Sequence, residues 1–367
     1  MSPESRKQNT PPTNNSESLH LSNRRLFLLS VVTVLLAALG TLFWRDTANL
    51  FVFRRFFGSS SRAASPLVAG SVPTPVSSSI AEQSGSKMKT PVYFLSHGGP
   101  NIMYDVEHPA YKKLGQIGRE ITTKVKPRAV VVFSAHWQGG RDTIYVNTAE
   151  NTDLIYEYVV FYGFPDHYYK EKYPNVGSKE VSHNVLDALK EAGIEAKGVK
   201  RGLDHGVWAS FKCAFEPDSN PLNVPVVQVS LFDTEDPNQH YRLGQAVSRL
   251  REENILIIVS GMAVHNLRDL RFTFGNPRPM PYAVSFDEAL KDAATKAPAE
   301  REQALTDLLK RPDARQAHPT FDHLLPIHVG AGAADEDVGK RIWTLPEGSM
   351  SWAQFRFGEL NNASTSL

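Results

Sequence analysis

Cysteine is almost absent: Cys213 is the only one in 367 residues. That excludes an intrachain disulfide and a thiolate metal cluster, so any bound metal takes nitrogen and oxygen ligands. A charge excess is lacking too. Forty basic residues face 39 acidic ones, a formal net charge of +1, which removes the electrostatic case for nucleic-acid binding. No internal repeat is present. Otherwise the composition is that of a globular protein, 41% hydrophobic and 22% charged, long enough for one large or two small domains plus appendages.

Long uncharged apolar runs are confined to one place. Leu26–Trp44, LFLLSVVTVLLAALGTLFW, holds nineteen residues without a charge between Arg24-Arg25 and Arg45. At helical rise this roughly matches a ~30 Å hydrocarbon core. It sits between polar stretches with nothing to bury it, so a single-pass membrane anchor over residues 26–44 is expected. The alternative is a targeting segment, cleaved on secretion or read by an organelle, although the run exceeds a usual signal core of about 7–15 residues. Arginines on both sides leave orientation unspecified by the positive-inside rule. Residues 1–24 are polar and read as a disordered tail. Gly58–Lys87 carries ten serines and cannot build a core, so 45–89 reads as a flexible Ser/Pro-rich linker. The folded domain is expected over 90–358, with a flexible tail at 359–367.

Inside that domain, short apolar runs alternate with helical patterns. Val92–Ser96, Ala129–Ser134, Val224–Leu231 and Ile255–Ser260 read as strands without polar alternation. Ala110–Val125, Lys179–Ala192, Asn238–Glu253 and Phe286–Leu309 read as helices, with a Pro-rich loop over Phe274–Tyr282. Buried strands separated by helices predict an α/β fold: a single domain with a central, mostly parallel sheet flanked by helices.

Twelve histidines are present, and three follow strand-like runs in the same way. VYFLS leads into His97-Gly98-Gly99, AVVVFS into Ala135-His136-Trp137, and ILIIVS into GMAV-His265-Asn266. In open α/β sheets ligands bind outside the carboxyl ends of the strands. One histidine there is usually a hydrogen-bonded structural residue. Three at equivalent positions predict a metal site, because neutral imidazole is the commonest protein ligand for a metal near neutral pH. Gly98 and Gly99 permit close backbone approach. Two more stand out: His205 in the expected loop LDHGVW, and His323 in HPTFDHLLP, at an expected helix start. His318 and His328 flank His323, and spacing alone does not rank the three.

The ordered set SHGGP, SAHW, LDHGVW, SGMAVHN and PTFDHLLP resembles the class III extradiol ring-cleavage dioxygenases. More narrowly it is similar to their DOPA extradiol dioxygenase branch, as is Phe161-Tyr-Gly-Phe-Pro165 with Tyr173-Pro174. The resemblance covers the whole of 90–358. It implies a catechol-type substrate and dioxygen as partners, with metal ligation by His97, His136, His265 and His323. It also implies that His205 lines the substrate pocket and exchanges protons. His265 has a second implied role as acid/base. The wider superfamily uses a glutamate where this chain has His323, and an all-nitrogen site suits Zn(II) as well as Fe(II).

Ring cleavage needs a metal that binds both catechol oxygens and leaves room for dioxygen, hence three protein ligands. The expectation is that His97, His136 and His323 hold Fe(II) during turnover. His265 then coordinates at rest and shuttles protons once substrate is bound. Trp137, Trp208 and Phe164 are candidate walls for the aromatic ring, with core packing an equal reading. A zinc-dependent hydrolase and a non-enzymatic metal-binding protein on the same scaffold are the competing functions.

Overall fold

The apolar runs expected to be strands form the middle of an eight-stranded sheet in a computed structural model, which describes residues 89–156 and 164–360. The tail 1–24, the run 26–44, the linker up to residue 88, Phe161–Gly163 and residues 361–367 lie outside the described residues. Among the described residues no helix is long and apolar enough to cross a membrane.

The strands are β1 (Val92–Ser96), β2 (Ala129–Gln138), β3 (Thr143–Asn147), β4 (Glu195–Val199), β5 (Val226–Leu231) and β6 (Ile255–Gly261). They continue as β7 (Val264–His265), β8 (Gly339–Trp343), β9 (Pro346–Glu347), β10 (Met350–Ser351) and β11 (Gln354–Phe357). The large sheet runs β4-β3-β5-β2-β6-β1-β11-β8, and β7-β10-β9 form a small second sheet. Its centre is parallel: β5, β2, β6 and β1 all point the same way. Antiparallel joins at β3/β5 and β1/β11 add the flanks. The expected mostly parallel sheet is therefore present. Its four central strands are buried along almost their whole length, as strands covered by helices on both faces must be.

Three helix boundaries differ from the sequence expectation, each for a local reason. The helix expected over Ala110–Val125 is α-helical only over Pro109–Glu120 and ends in a π turn, Ile121–Val125, stopped by Lys126 at φ 50°. Asn238–Glu253 becomes an α-helix over Pro237–Val247, capped by the Asp236 carboxylate, then a 3-10 segment ended by left-handed Asn254. Phe286–Leu309 is two helices, Pro281–Ala294 and Pro298–Leu308. Proline has no N–H to donate and restricts the residue before it, so Pro298 can begin a helix but not continue one.

At the β1/β11 join a side chain extends the ladder. The Gln354 amide takes the Ser96 N–H at 3.1 Å and donates to the Ser96 carbonyl at 3.1 Å. This secures the last residue of β1, immediately before His97.

Two flanking histidines belong to the core. His318 Nε2 donates to the Ala263 carbonyl at 2.9 Å, and His328 Nε2 to the Leu305 carbonyl at 3.3 Å. Burial pushes both down to about 4. The unfolded chain protonates them near pH 6.5 while the native state refuses the proton, so stability is complete above that value and falls below it. Urea denaturation of the metal-free protein should lose on the order of 2 kcal/mol for each between pH 7 and 5. A His328→Gln variant should show a correspondingly shallower loss.

Candidate metal centre

Because β2, β6 and β1 are neighbours in the sheet, their carboxyl ends open on one crevice. His97 directly follows β1. β2 continues past the expected end at Ser134 and carries His136 inside it, where its register against β5 shifts between Phe133 and Gln138. His265 belongs to β7, four residues beyond the end of β6. His205 is not in a loop as expected; it opens the helix His205–Ala214. His323 lies two residues ahead of the helix Leu325–Ala333, close to its expected start.

The structure brings all five together. His136 Nε2 is 3.2 Å from His97 Nε2 and 3.1 Å from His323 Nε2. His97, His136 and His205 each offer a ring nitrogen within 4.8 Å of the others. The His205 ring centroid is 3.8 Å from that of His136. His265 stacks on His323, with centroids 3.7 Å apart and planes 12° from parallel. His205 thus adjoins the His97/His136 end of the cluster, and His265 the His323 end. His97, His205 and His323 are buried, whereas His136 and His265 keep some accessible surface.

Partners behind the rings fix which nitrogen faces the centre. The Ser260 hydroxyl gives its proton to the Gly206 carbonyl, so its oxygen accepts from His97 Nδ1–H at 2.9 Å. The Asp322 carboxylate accepts from His323 Nδ1–H at 2.7 Å. Both rings therefore present a bare Nε2 lone pair to the cluster. Burial raises the Asp322 carboxyl most, but the bond and charge interaction with His323, the Thr320 hydroxyl and His265 together outweigh it, and the net shift is downward. Burial lowers His97, reinforced by His323, His205 and His265. Burial likewise lowers His136, followed by His205 and His323. His265 is lowered by burial and then by His323. Neutral, ligand-ready imidazoles result.

The donor set fits a transition metal. Metal–nitrogen bonds of about 2.0–2.1 Å separate adjacent ligand atoms by roughly 2.8–3.4 Å between octahedral and tetrahedral angles. The observed 3.1 and 3.2 Å fall in that range. Nitrogen-only donors are compatible with zinc and with iron.

A buried network supports the His136 side. Asp204, at the start of the His205 helix, accepts from Ser134 Oγ at 2.7 Å and Arg201 Nη1 at 3.0 Å, and from Gln228. Arg201 also donates to the His136 carbonyl at 3.3 Å and lies over Trp137, 4.6 Å from its ring centroid. On the His97 side, Gly98 sits at φ +64°, and a Cβ there would meet the Trp352 ring at 2.0 Å. Sequence reasoning missed Ser260, Trp352 and Gln228. Only Asp322 carried a signal, its adjacency to His323. Of the candidate ring walls, Trp208 is fully buried and donates its indole N–H to the Ile155 carbonyl, so it packs the core. Phe164 is partly buried against Tyr168.

A histidine-lined centre at the carboxyl edge of a parallel α/β sheet defines a metal-dependent enzyme class rather than a hydrophobic binding fold. Residues 90–352 match the family described as the catalytic LigB subunit of aromatic ring-opening dioxygenase, and the chain belongs to it: this is a class III extradiol dioxygenase. A fission yeast (Schizosaccharomyces pombe) protein, "4,5-DOPA dioxygenase extradiol-like protein", is 35% identical, covering 70% of this chain and 88% of its own. The beet (Beta vulgaris) "4,5-DOPA dioxygenase extradiol" is 34% identical over 72% of this chain and 95% of its own. The Escherichia coli protein of that name is 30% identical over 74% and 96%. A crystal structure of an uncharacterised E. coli K12 protein superposes with TM-score 0.60 at 28% identity, covering 74% of this chain and all of that one.

Removing the carboxylate behind His323 tests the centre. Partners of this kind typically contribute 10–100-fold to metal affinity. In competition with a chelator, Asp322→Ala should weaken metal binding by about that factor while leaving the fold intact by circular dichroism.

Proposed function

We propose that this dioxygenase cleaves the ring of a DOPA-like catechol and incorporates both atoms of dioxygen, with Fe(II) as the working metal. Zn(II) is the ion the same nitrogen set would also hold at rest. The names of the beet and E. coli relatives support the substrate class. One observation carries the reading: two oriented Nε2 lone pairs, on His97 and His323, lie 3.2 and 3.1 Å from His136 Nε2, with two further imidazoles against the cluster. A structural metal would need no such extra pair.

His97, His136 and His323 are assigned as the ligands in turnover. The chemistry a ferrous ion supplies there when bound is an electron path between a singlet catechol and triplet dioxygen. His205 takes a proton from a catechol hydroxyl and returns it to the opening ring, general acid–base work that enzymes most often give to histidine. Its ring centroid lies 3.8 Å from that of His136, within reach of a substrate held at the cluster. His265 ligates in the resting centre and moves protons once substrate is bound, its ring held in position by the stack on His323. Residues 26–44 are proposed to anchor the enzyme in a membrane as a single span.

Anaerobic loading of the full chain with Fe(II), followed by DOPA and air, should give oxygen uptake and a yellow ring-opened product. Absence of uptake with Fe(II), together with ester or amide hydrolysis under Zn(II), would overturn the proposal. His205→Ala should keep its metal but lose about 10²–10⁴-fold in kcat; loss of metal instead would make it a ligand. Full turnover by His265→Gln would remove the shuttle role.

A further inference from the structure

The small sheet presents one more group to the crevice. Directly opposed residues on antiparallel strands share a face. Met350 opposes His265 on β7 and Glu347 on β9, so His265, Met350 and Glu347 form one row. The alternate row is Val264, Ser351 and Pro346. That second row faces the helix Pro281–Ala294, because Ser351 Oγ donates to Asp287 of that helix at 2.7 Å. Glu347 therefore lies on the other face, the one that carries His265 into the metal cluster.

Its surroundings suit a substrate contact rather than a core ion pair. The Glu347 side chain retains 33% of its exposure. Across the gap, His108 Nδ1 accepts the Ala110 N–H at 3.1 Å, so Nε2 carries the proton and donates to Glu347 at 3.0 Å. The bond from His108 keeps the carboxyl below its usual range against burial, aided by the charge interaction with that ring and by Trp352. One imidazole donor uses only part of a carboxylate's acceptor capacity, and the exposed part is open to a further donor. The same Trp352 ring lies over Gly98, next to His97, and 5.0 Å from the His108 ring. Glu347 thus stands beside an aromatic wall, two strand spacings or about 9–10 Å from the His265 backbone.

We propose that Glu347 is a specificity-determining residue that accepts the side-chain ammonium group of a catechol whose hydroxyls sit at the histidine cluster. This rests on the ring-cleavage reading above and narrows it to catechols with a cationic amine on a short side chain. A catechol bearing only a carboxylate meets like charge at the same position. Discrimination then comes from attraction of one class and repulsion of the other.

The test compares dopamine with 3-(3,4-dihydroxyphenyl)propanoate, alike in skeleton and opposite in terminal charge, by anaerobic calorimetric titration of the Fe(II)-loaded full chain. Glu347→Gln should weaken dopamine about tenfold, the loss expected of one charge-assisted hydrogen bond at a partly exposed site. The propanoate should bind no more weakly than before. Glu347→Asp, which keeps the charge, should keep the preference for the amine. If the two catechols weaken together, or dopamine is unaffected, the inference is overturned, because a purely structural role for Glu347 does not read charge. Oxygen uptake is then measured on the same samples in air. Amine binding that depends on Glu347 without uptake overturns the ring-cleavage reading and leaves this one standing. Uptake with unaltered discrimination does the reverse, and failure of the wild type to bind either catechol overturns both.

Discussion

The constraint on which the architecture turns is the crowding of unshared electron pairs. His97 and His323 each aim a proton-free Nε2 at a point already occupied by His136, at separations of 3.2 and 3.1 Å. Away from bulk water such an arrangement is costly unless a cation lies among the rings or one ring is protonated, and burial disfavours protonation of His97 and His136. The rest of the protein can be understood as the apparatus that imposes this crowding. Adjacent parallel strands β2, β6 and β1 bring the chain ends together. Ser260 and Asp322 then select the tautomers. The Asp204 hydrogen bonds join the His205 helix to β2 through Ser134.

Much of this could be read from the amino acids, and for a definite reason. Parallel strands buried on both faces leave an unbroken apolar signature, so β1, β2, β5 and β6 were visible, and so was the histidine that ends or follows each of three of them. The edge strands β4 and β8, and β3 beside β4, are shorter in apolar content and partly exposed, and they gave no comparable periodicity. The two-residue strands β7, β9 and β10 exist only through tertiary pairing. The ranking of His318, His323 and His328 was likewise illegible. All three are buried, and what separates them is the partner behind each ring: a carboxylate for His323, backbone carbonyls for the other two. His205 looked like a loop residue because no periodic apolar face announces its helix, which is buried nearly all round, and Asp204 at the cap position turns its side chain to Ser134, Arg201 and Gln228 rather than to the helix N–H groups.

The site is asymmetric. Its His97 side is closed by Trp352 over Gly98 and by the His108–Glu347 pair, while its His136 side is braced by a charged network around Asp204, which is itself inaccessible to solvent. The brace holds geometry and the opposite wall keeps exposure. Rigidity and access are thus divided between the two sides of one crevice, the arrangement expected where a preorganised centre must still admit a molecule.

His97 lies near the beginning of the folded region and His323 near its end, yet their imidazoles adjoin the same His136 nitrogen. A ribosome must therefore release nearly the whole domain before these rings can meet. A nascent or prematurely terminated chain has no assembled centre, so capture of the ion, and with it the hazard of handling oxygen, is deferred until synthesis of the domain is all but complete.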